Sequence, residues 1–309
     1  MMSDLVIAGI DGSASSLAAV EAAAQEARLR EVDLHLVHAC VRTATRAPRG
    51  ASVQIPPDGT PHMTVERLTA EAEDRARAAA PEVNVTTAVV GGHTPTVLTA
   101  QSFAAQLMVV GSRGLGGFAG LVAGSNAVHL AAHGASPVLV VRAPGDPTGP
   151  VLLAVDGSPA GIGAVRFAFA EAALRGADLL ALHAWTPWNA PMPPPPDAAM
   201  PYAGAPGTLA EREACLLSEA IADQRAVHPD VNVVRRTVRR GTREALLDAS
   251  RTAQLLVVGA RGRGGFAGLL LGSVSQAMLH QAHCPVAVVR AAAAVPSGAA
   301  TTLPAARPR

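Results

Sequence analysis

The sequence predicts an α/β protein built from two tandem, doubly wound domains, each a five-stranded parallel sheet flanked by helices. The first observation is a glycine pattern, G-x2-G-x9-G-S, which occurs twice in the 309 residues with similar residues around it. The second is the alternation of short apolar runs with segments of helical spacing, which is typical of βα units. The third is length, because two repeats of roughly 140 residues have the commonest domain size. We expect domains at residues 1–143 and 150–291, followed by a disordered tail at residues 292–309.

The first repeat is predicted to contain five strands with four helices between them. Its first strand, Leu5 to Ile10, is apolar throughout, which suits a strand buried on both faces of a parallel sheet. An irregular stretch rich in Arg, Pro and Gly follows the second strand. The remaining elements are predicted as helix Ser15 to Arg30, strand Leu34 to Ala39, helix Thr64 to Ala80, strand Asn84 to Val90, helix Pro95 to Ala105, strand Leu107 to Val110, helix Ser125 to His133 and strand Val138 to Val141.

The second repeat follows the same order, from a first strand at Val151 to Val155 to a last strand at Val286 to Val289. Its loop from Trp185 to Pro206 is interpreted as a flexible insertion, with a lid over a bound base as the alternative. The segment before the third helix is Gly91 to Pro95 in the first repeat. In the second repeat we match it to Gly241 to Arg243, which is shorter and lacks proline.

Charge and composition exclude several functions. The formal net charge is +1 and the chain contains no lysine, so all its basic side chains other than histidine are arginines. A broad basic surface is therefore not expected, and neither nucleic acid nor a membrane is a predicted partner. A Walker-type P-loop is also excluded, because it requires lysine after glycine.

The cysteines and the N-terminus indicate an intracellular protein. Cys40, Cys215 and Cys284 are odd in number and form no Cys-x-x-Cys pattern, so neither a disulfide framework nor a zinc site is predicted. The N-terminus lacks a secretory signal, and no apolar run is long enough to span a bilayer. We expect a protein of the reducing cytoplasm.

The repeated glycines predict a phosphate site. Gly111 follows an apolar strand, Gly114 lets the loop turn, and Gly124 precedes a helix. In an open α/β sheet, ligands bind beyond the carboxyl ends of the strands, where the strand order reverses. Glycine lets the backbone approach phosphate oxygens, and a helix N-terminus favours an anion. The alternative is a tight turn without a ligand. The same three positions in the second repeat are Gly259, Gly262 and Gly272.

Two aspartates extend this prediction to a nucleotide. Asp11 and Asp156 follow the first strand of their repeats, and we expect them to face the crevice opposite the glycine loop. A carboxylate there repels phosphate but accepts hydrogen bonds from ribose hydroxyls or an amine. The alternative is that each carboxylate accepts backbone N–H bonds within its own turn.

The serines of these motifs are candidate helix N-caps. Ser125 and Ser273 follow the last glycine of each pattern, and a capping serine stabilises a helix by about 1 kcal/mol whether or not it also contacts phosphate. Ser13 and Ser158 stand at matching places after the first strand, and Pro159 at the next position suits the first residue of a helix.

Two histidines and three arginines near these motifs are interpreted separately. His38 and His183 lie in apolar strands and are interpreted as core residues rather than ligands. Arg113 and Arg261 either contact phosphate or are solvated. Arg263 replaces a leucine of the first repeat, so we expect the second pocket to be more cationic.

The Asp-Gly-Ser start, the histidine of the second strand and the glycine loop together resemble the universal stress protein family in its tandem form. The resemblance implies an adenine nucleotide alpha hydrolase-like, Rossmann-like sheet of order 3-2-1-4-5. It also implies ATP as ligand, because the intact glycine pattern marks the members that bind ATP. The residues implied in the first repeat are Asp11, Gly12, Ser13, Ala39, Gly111, Arg113, Gly114, Gly124, Ser125 and Asn126. The corresponding residues of the second repeat are Asp156, Gly157, Ser158, Ala184, Gly259, Arg261, Gly262, Gly272, Ser273 and Val274.

The function predicted from this resemblance is a cytoplasmic, ATP-binding regulator or sensor of the stress response, with Mg²⁺ accompanying the nucleotide. A slow ATP hydrolase and a ligand-free dimeric scaffold are the alternatives. Residues 111–125 and 259–273 contain no Asp or Glu that could hold Mg²⁺ or orient water, which disfavours efficient hydrolysis. The family pairs domains through the fifth strands, so the two repeats are expected to form a pseudo-dimer that could itself dimerise.

Overall fold

A computed structural model of the chain describes residues 5–40, 61–114, 124–186, 208–263 and 270–290. The predicted tail and nearly all of the loop from Trp185 to Pro206 lie outside these ranges. We call residues 5–141 the first half and residues 151–290 the second half. The division into domains at residues 1–143 and 150–291 stays a prediction.

The predicted α/β fold class is confirmed, and strands alternate with helices in both halves. The first half contains β1 (Leu5–Ile10), α1 (Ala14–Arg30), β2 (Asp33–Cys40), α2 (Pro61–Ala79), β3 (Val85–Gly91), α3 (Thr94–Gln101), β4 (Leu107–Gly111), α4 (Ser125–His133) and β5 (Val138–Val141). The second half contains β6 (Val151–Ala154), a 3₁₀ turn (Pro159–Gly161), α5 (Ile162–Arg175), β7 (Leu179–Trp185), α6 (Thr208–Val227), β8 (Val233–Arg239), α7 (Thr242–Ala249), β9 (Leu255–Gly259), α8 (Ser273–Gln281) and β10 (Val286–Val289).

The ten strands form one sheet in the order β3-β2-β1-β4-β5-β10-β9-β6-β7-β8. Each half therefore has the predicted order 3-2-1-4-5, and its strands pair in parallel. The halves join where β5 pairs antiparallel with β10, with Leu139 opposite Ala287. The predicted pairing of the fifth strands within one chain is confirmed.

Two apolar cores cover the two faces of the sheet, which explains why its central strands carry almost no polar residues. One core lies between the sheet and helices α1, α2, α5 and α6, and includes Phe169. The other lies between the sheet and helices α3, α4, α7 and α8, and includes Met108 and Met278. Both cores contain residues of both halves, so packing is continuous across the β5–β10 junction.

A buried ionic cluster joins α1 to α5 across the junction. Arg30 donates to Glu26 on its own helix and to Glu171 on the other, and Arg175 donates to Glu171 at 3.0 Å and to Glu26. The four residues occupy equivalent places in the two repeats, so the cluster is nearly two-fold symmetric. Burial and the neighbouring Glu26 carboxylate raise the pKa of Glu171 to about 7.

Two further arginines connect the halves at the opposite face. Arg142, after β5, donates to the carbonyl of Leu279 at 3.0 Å, at the C-terminal end of α8. Arg290, after β10, donates to the carbonyl of Ala132 at 2.7 Å, at the end of α4. Each arginine thus satisfies helix carbonyls of the other half, where a cation also complements the negative end of the helix dipole.

Two predictions about the third helix of each repeat are wrong. Helix α3 ends at Gln101 rather than at Ala105, because the Ser102 hydroxyl donates to the carbonyl of Thr99 and accepts from the amide of Ala135. The segment that precedes this helix is not shorter in the second repeat. Two residues separate β3 from α3, and two separate β8 from α7.

Replacing Glu31 with glycine is expected to stabilise the protein by about 0.5–1 kcal/mol, because Glu31 ends α1 with a left-handed φ of 54°. Gly176 ends α5 at the equivalent place with a φ of 58°. We expect thermal unfolding followed by circular dichroism to show a rise in Tm of roughly 2 °C. The reverse change, Gly176→Glu, serves as the control and should lower Tm. A lower Tm for Glu31→Gly would contradict the assignment.

Candidate functional site

Each half has a crevice where its central strands end, at the switch point of the sheet. The first pocket lies beyond the carboxyl ends of β1 and β4 and has a volume of about 390 Å³. The second pocket lies beyond β6 and β9 and has a volume of about 700 Å³. Both volumes are in the range of small-molecule sites.

Eight of the ten predicted residues of each repeat line its pocket. In the first pocket these are Asp11, Ala39, Gly111, Arg113, Gly114, Gly124, Ser125 and Asn126. In the second they are Asp156, Ala184, Gly259, Arg261, Gly262, Gly272, Ser273 and Val274. The structure therefore brings the aspartate, the end of the second strand and the glycine loop together in both halves.

The remaining predicted residues shape the turn after the first strand. Gly12 and Gly157 adopt φ values of 82° and 69°, which favour glycine. Ser13 caps α1, since its hydroxyl oxygen accepts from the amide of Ser16 at 3.2 Å. Ser158 is the N-cap of the 3₁₀ turn and Pro159 follows it, as predicted. Its hydroxyl forms no capping bond, however, and donates to Asp156 Oδ1 at 2.8 Å.

The two aspartates lie against the glycine loop rather than across the crevice from it. A Cβ atom added to Gly114 would lie 2.5 Å from Asp11 Oδ2, and one added to Gly262 would lie 2.5 Å from Asp156 Oδ2. Asp156 Oδ2 also accepts from the amide of Arg263 at 2.9 Å. The predicted opposite placement is wrong, because β1 and β4 are adjacent strands, as are β6 and β9, and their loops meet at once.

The aspartates also accept bonds within their own turns, as the alternative reading of the sequence allowed. Asp11 Oδ1 accepts from the amide of Ser13 at 3.0 Å, and Asp156 Oδ1 accepts from the amide of Ser158 at 2.9 Å. Each carboxylate therefore holds the first loop of its half, and that of Asp156 is also bonded to the glycine loop. Since both aspartates line their pockets, this structural role does not remove them from the site.

Glycine, not serine, caps the helix behind each pocket. The carbonyl of Gly124 accepts from the amide of Val128, and that of Gly272 accepts from the amide of Gln276, so these glycines are the N-caps. Ser125 and Ser273 are the first helical residues, and both are exposed where they line their pockets. The prediction that these serines are N-caps is wrong by one position. The free amides of the first helical turn open onto the pocket.

Several lining residues were missed by the sequence analysis. Thr94 and Thr242 begin the third helix of each half and line equivalent places, and Thr242 donates to the carbonyl of Ala184 at 3.3 Å. Leu98 and Leu246 lie one turn later. A signal was available, because these pairs keep the same spacing of residues in the two repeats as the glycines do.

The second pocket has polar residues that the first lacks. His183, Trp185, Glu213 and Arg263 line it, whereas His38 is absent from the lining of the first pocket. His183 is buried, with Nδ1 2.7 Å from the carbonyl oxygen of Val155 and Nε2 2.6 Å from Glu213 Oε2. The interpretation of His183 as a pure core residue is therefore incomplete.

The described lining of the second pocket contains two arginines, Arg261 and Arg263, where that of the first contains Arg113. It also contains two carboxylates, Asp156 and Glu213, where the first contains Asp11. The net charge of the second pocket therefore depends on the proton held by Glu213 and His183, and its more cationic character stays a prediction.

Within the described ranges, no group of three or more His, Cys, Asp or Glu side chains could hold a metal ion. Of the helices that the structure describes, none combines the length and the apolarity needed to cross a lipid bilayer.

Comparisons with known proteins agree with this architecture. The model of the universal stress protein family matches residues 2–142 and again residues 148–290. A universal stress protein of Mycolicibacterium smegmatis is 36% identical over 295 residues, covering 92% of this chain and 96% of that protein. Universal stress protein Rv2623 of Mycobacterium tuberculosis is 36% identical over 297 residues, with the same coverage. The crystal structure of a universal stress protein from Archaeoglobus fulgidus has the same fold, with a TM-score of 0.65 at 16% identity, covering 94% of this chain and 99% of that one. The chain therefore belongs to the universal stress protein family.

Proposed function

We propose that the protein binds ATP in both pockets and acts in the cytoplasm as a regulator of the stress response whose bound state alters its partners. The observation that carries the proposal is the duplicated convergence of a glycine loop, a helix N-terminus and a strand-end carboxylate in one crevice. The tandem membership in the universal stress protein family supports the regulatory role. Three free thiols among the described residues suit a reducing compartment.

The glycine loop and the last helix of each half fit the triphosphate. In the first pocket, the free amides at the start of α4 and the backbone of Gly111, Gly114 and Gly124 would hold phosphate oxygens. Among the described residues, the nearest neighbour of a Cβ atom on Gly124 would be the carbonyl oxygen of Ser112, 3.5 Å away. Packing within the described part of the chain therefore does not require glycine there, whereas close approach of a ligand would. Arg113 and Arg261 add positive charge near the loops.

The strand-end residues fit the ribose and the base. Asp11 and Asp156 keep carboxylate oxygens at the pocket wall, where they would accept from ribose hydroxyls. Ala39 and Ala184 leave room for a flat ring beside the second strand. Mg²⁺ would enter with the nucleotide, coordinated mainly by phosphate oxygens, because the described residues offer no cluster of ligands of their own.

Slow hydrolysis remains the second candidate. Efficient phosphoryl transfer relies on positioned groups that hold Mg²⁺ and orient the attacking water. The glycine loops offer no carboxylate for this purpose, and Asp11 and Asp156 are engaged in their turns. Binding without rapid turnover is the behaviour that suits a sensor. Assembly of two chains into a homodimer is a further part of the proposal.

The direct test is to denature freshly purified protein and identify the released nucleotide by mass spectrometry. We expect close to two moles of ATP per mole of chain. Release of ADP would favour the hydrolase. Release of nothing, followed by no thermal shift with ATP and Mg²⁺, would contradict nucleotide binding and favour the scaffold.

Gly124→Asp and Gly272→Asp are expected to abolish ATP binding at the first and second pocket, respectively, without loss of stability. Aspartate is a better N-cap than glycine and complements the helix dipole, so Tm should stay constant or rise. The added carboxylate would occupy the phosphate position and repel it. We expect affinity to fall at least about 100-fold, or roughly 2.7 kcal/mol, in titration calorimetry.

The matched control is Gly124→Asn, which has nearly the same shape and capping ability but no charge. It should weaken binding less than Gly124→Asp does. Equal ATP affinity in wild type and in both aspartate variants would show that the glycines serve only loop geometry.

A further inference from the structure

The ring orientation of His183 determines where its protons lie. Its Nδ1 atom is 2.7 Å from the carbonyl oxygen of Val155, and a carbonyl oxygen can only accept. Nδ1 therefore carries a proton and donates it to Val155. In a neutral imidazole with this tautomer, Nε2 has a lone pair and no proton.

A second proton must lie between His183 and Glu213. Nε2 and Glu213 Oε2 are 2.6 Å apart, and both side chains are buried. A lone pair facing a carboxylate oxygen at this distance is repulsive, so one proton bridges the two atoms. It makes the pair either imidazolium with carboxylate or imidazole with carboxylic acid. In both forms the pair is neutral, and loss of this proton leaves one negative charge.

In the described part of the first half, no carboxylate occupies the place of Glu213. His38 holds the same place as His183, with Nδ1 2.9 Å from the carbonyl oxygen of Ile10. Leu68 of α2 and Leu216 of α6 pack equivalently over Gly12 and Gly157. Three residues before these leucines, α2 carries Val65 where α6 carries Glu213.

The pair also lines the second pocket, which is the larger of the two. His183, Glu213 and Trp185 line that pocket, which is about 700 Å³ against about 390 Å³ for the first. Gly272 and Ser273, at the start of α8, line the same pocket. A ligand that fills the second pocket would thus meet both the pair and the helix N-terminus.

We infer that Glu213 is a specificity-determining residue of the second pocket alone, where with His183 it binds a proton that must be present for tight binding of an anionic nucleotide. The inference rests on the proposed function. Without the proton, the additional negative charge opposes the phosphates. Nucleotide affinity at the second pocket therefore falls as pH rises, by up to about tenfold per pH unit for one linked proton. Nucleotide affinity at the first pocket lacks this additional dependence on pH.

Other charges around the pair are fixed by the same fold. Asp156, Arg261 and Arg263 line the same pocket, and Arg239 of β8 lies 5.9 Å over the Trp185 ring. Helix α5, which packs beside α6, contributes no charged side chain to the described lining. Asp156 is bonded to the amide of Arg263.

The test measures ATP affinity between pH 6 and 8.5 at each pocket separately. Gly124→Asp leaves only the second pocket, and Gly272→Asp leaves only the first. The first pocket controls for titration of ATP itself. We expect a steeper loss of affinity with pH at the second pocket, and Glu213→Gln should reduce that slope to that of the first. Parallel slopes in the two pockets, or an unchanged slope in Glu213→Gln, would overturn the inference.

The reverse transplant is Val65→Glu, which places a carboxylate before His38. It should give the first pocket the additional pH dependence, and Val65→Gln, of similar size but neutral, should not. A Val65→Glu protein that folds and binds ATP with an unchanged slope would count against the inference.

Nitrogen-15 NMR of His183 in the nucleotide-free protein distinguishes failure of the proposed function from failure of the inference about Glu213. We expect Nδ1 to be protonated, and the Nε2 resonance to change in Glu213→Gln far more than the resonances of His38. If that holds but ATP binds at neither pocket, the proposed function fails and the coupling fails with it. If ATP binds but the Nε2 resonance is insensitive to Glu213, only the inference fails.

Discussion

Arg175→Met is expected to lower the free energy of unfolding by about 3–5 kcal/mol, because it leaves two buried carboxylates with one guanidinium, that of Arg30, and so one buried negative charge uncompensated. Arg175 bonds to Glu171 and Glu26, whose side chains are almost fully buried between α1 and α5. With the guanidinium removed, either a carboxylate stays buried and uncompensated or it takes up a proton. Chemical denaturation followed by circular dichroism measures the loss.

The loss of unfolding free energy in Arg175→Met should depend on pH. Burial and the nearby Glu26 already raise the pKa of Glu171 to about 7 in the folded chain, above its ordinary value of 4.5. A group with a raised folded pKa contributes its stability below the unfolded pKa and loses it as pH rises through the folded pKa. Removing Arg175, whose charge lowers the pKa of Glu171, raises this folded pKa further. We therefore expect Arg175→Met to differ little from wild type near pH 4.5 and most at pH 7–8.

The matched control is Arg77→Met. Arg77 forms an ion pair with Glu73 on the same helix, at 2.8 Å, but about half of its side chain is exposed. An exposed pair of this kind contributes at most about 0.5 kcal/mol. Equal losses for the two variants, or a deficit in Arg175→Met that grows towards acid pH, would contradict the role given to the cluster.

The strand framework could be predicted because its physical signal is local. β1, β5 and β10 are uninterrupted apolar runs, and their predicted bounds match the structure. The convergence of Gly111, Gly114 and Gly124 could likewise be predicted, because the end of a parallel strand and the start of the next helix meet at one edge of the sheet. Duplication supplied a second, independent instance of the same spacing.

The misplaced residues depend on information that is not local. The N-cap of α4 was predicted at Ser125 instead of Gly124 because serine and glycine both suit this position. Only the backbone bond from the amide of Val128 to the carbonyl of Gly124 decides between them. Glu213 was missed because its direction depends on the rotation of α6, which is set by Leu217 and Ile221 in the core. Glu213 is also separated from His183 by the loop between β7 and α6, so no fixed spacing in the sequence indicates that the two side chains meet.

The cluster explains why the pseudo-dimer interface could not be predicted in full. The sequence suggested strand pairing, which the structure contains, but Glu26 and Arg175 are 149 residues apart and each belongs to an ordinary helical pattern. Their contact exists only because the β5–β10 pairing brings equivalent helices together around an approximate two-fold axis. Across such an axis each contact has a reciprocal one, and here the bond of Arg175 to Glu26 is matched by that of Arg30 to Glu171.

Phe169→Ala is expected to destabilise the second half by about 3–5 kcal/mol, because it empties a site in a close-packed core. Phe169 is fully buried, and its ring lies 6.0 Å from the His228 ring. The first half has Ala24 and Ala80 at the equivalent places, both fully buried. The first half therefore has two small residues at this pair of positions, whereas truncating Phe169 alone removes the ring that contacts His228.

The loss should be reported by tryptophan fluorescence, since both tryptophans of the chain lie in the second half. Phe103→Ala makes the same chemical change at a side chain that is 78% exposed and should alter stability by less than about 0.5 kcal/mol. A loss below about 1 kcal/mol in Phe169→Ala would mean that the core collapses into the space. If circular dichroism and fluorescence report one transition, the shared cores and the ionic cluster make the two halves a single cooperative unit. An earlier fluorescence transition would show that the second half unfolds while the first remains folded.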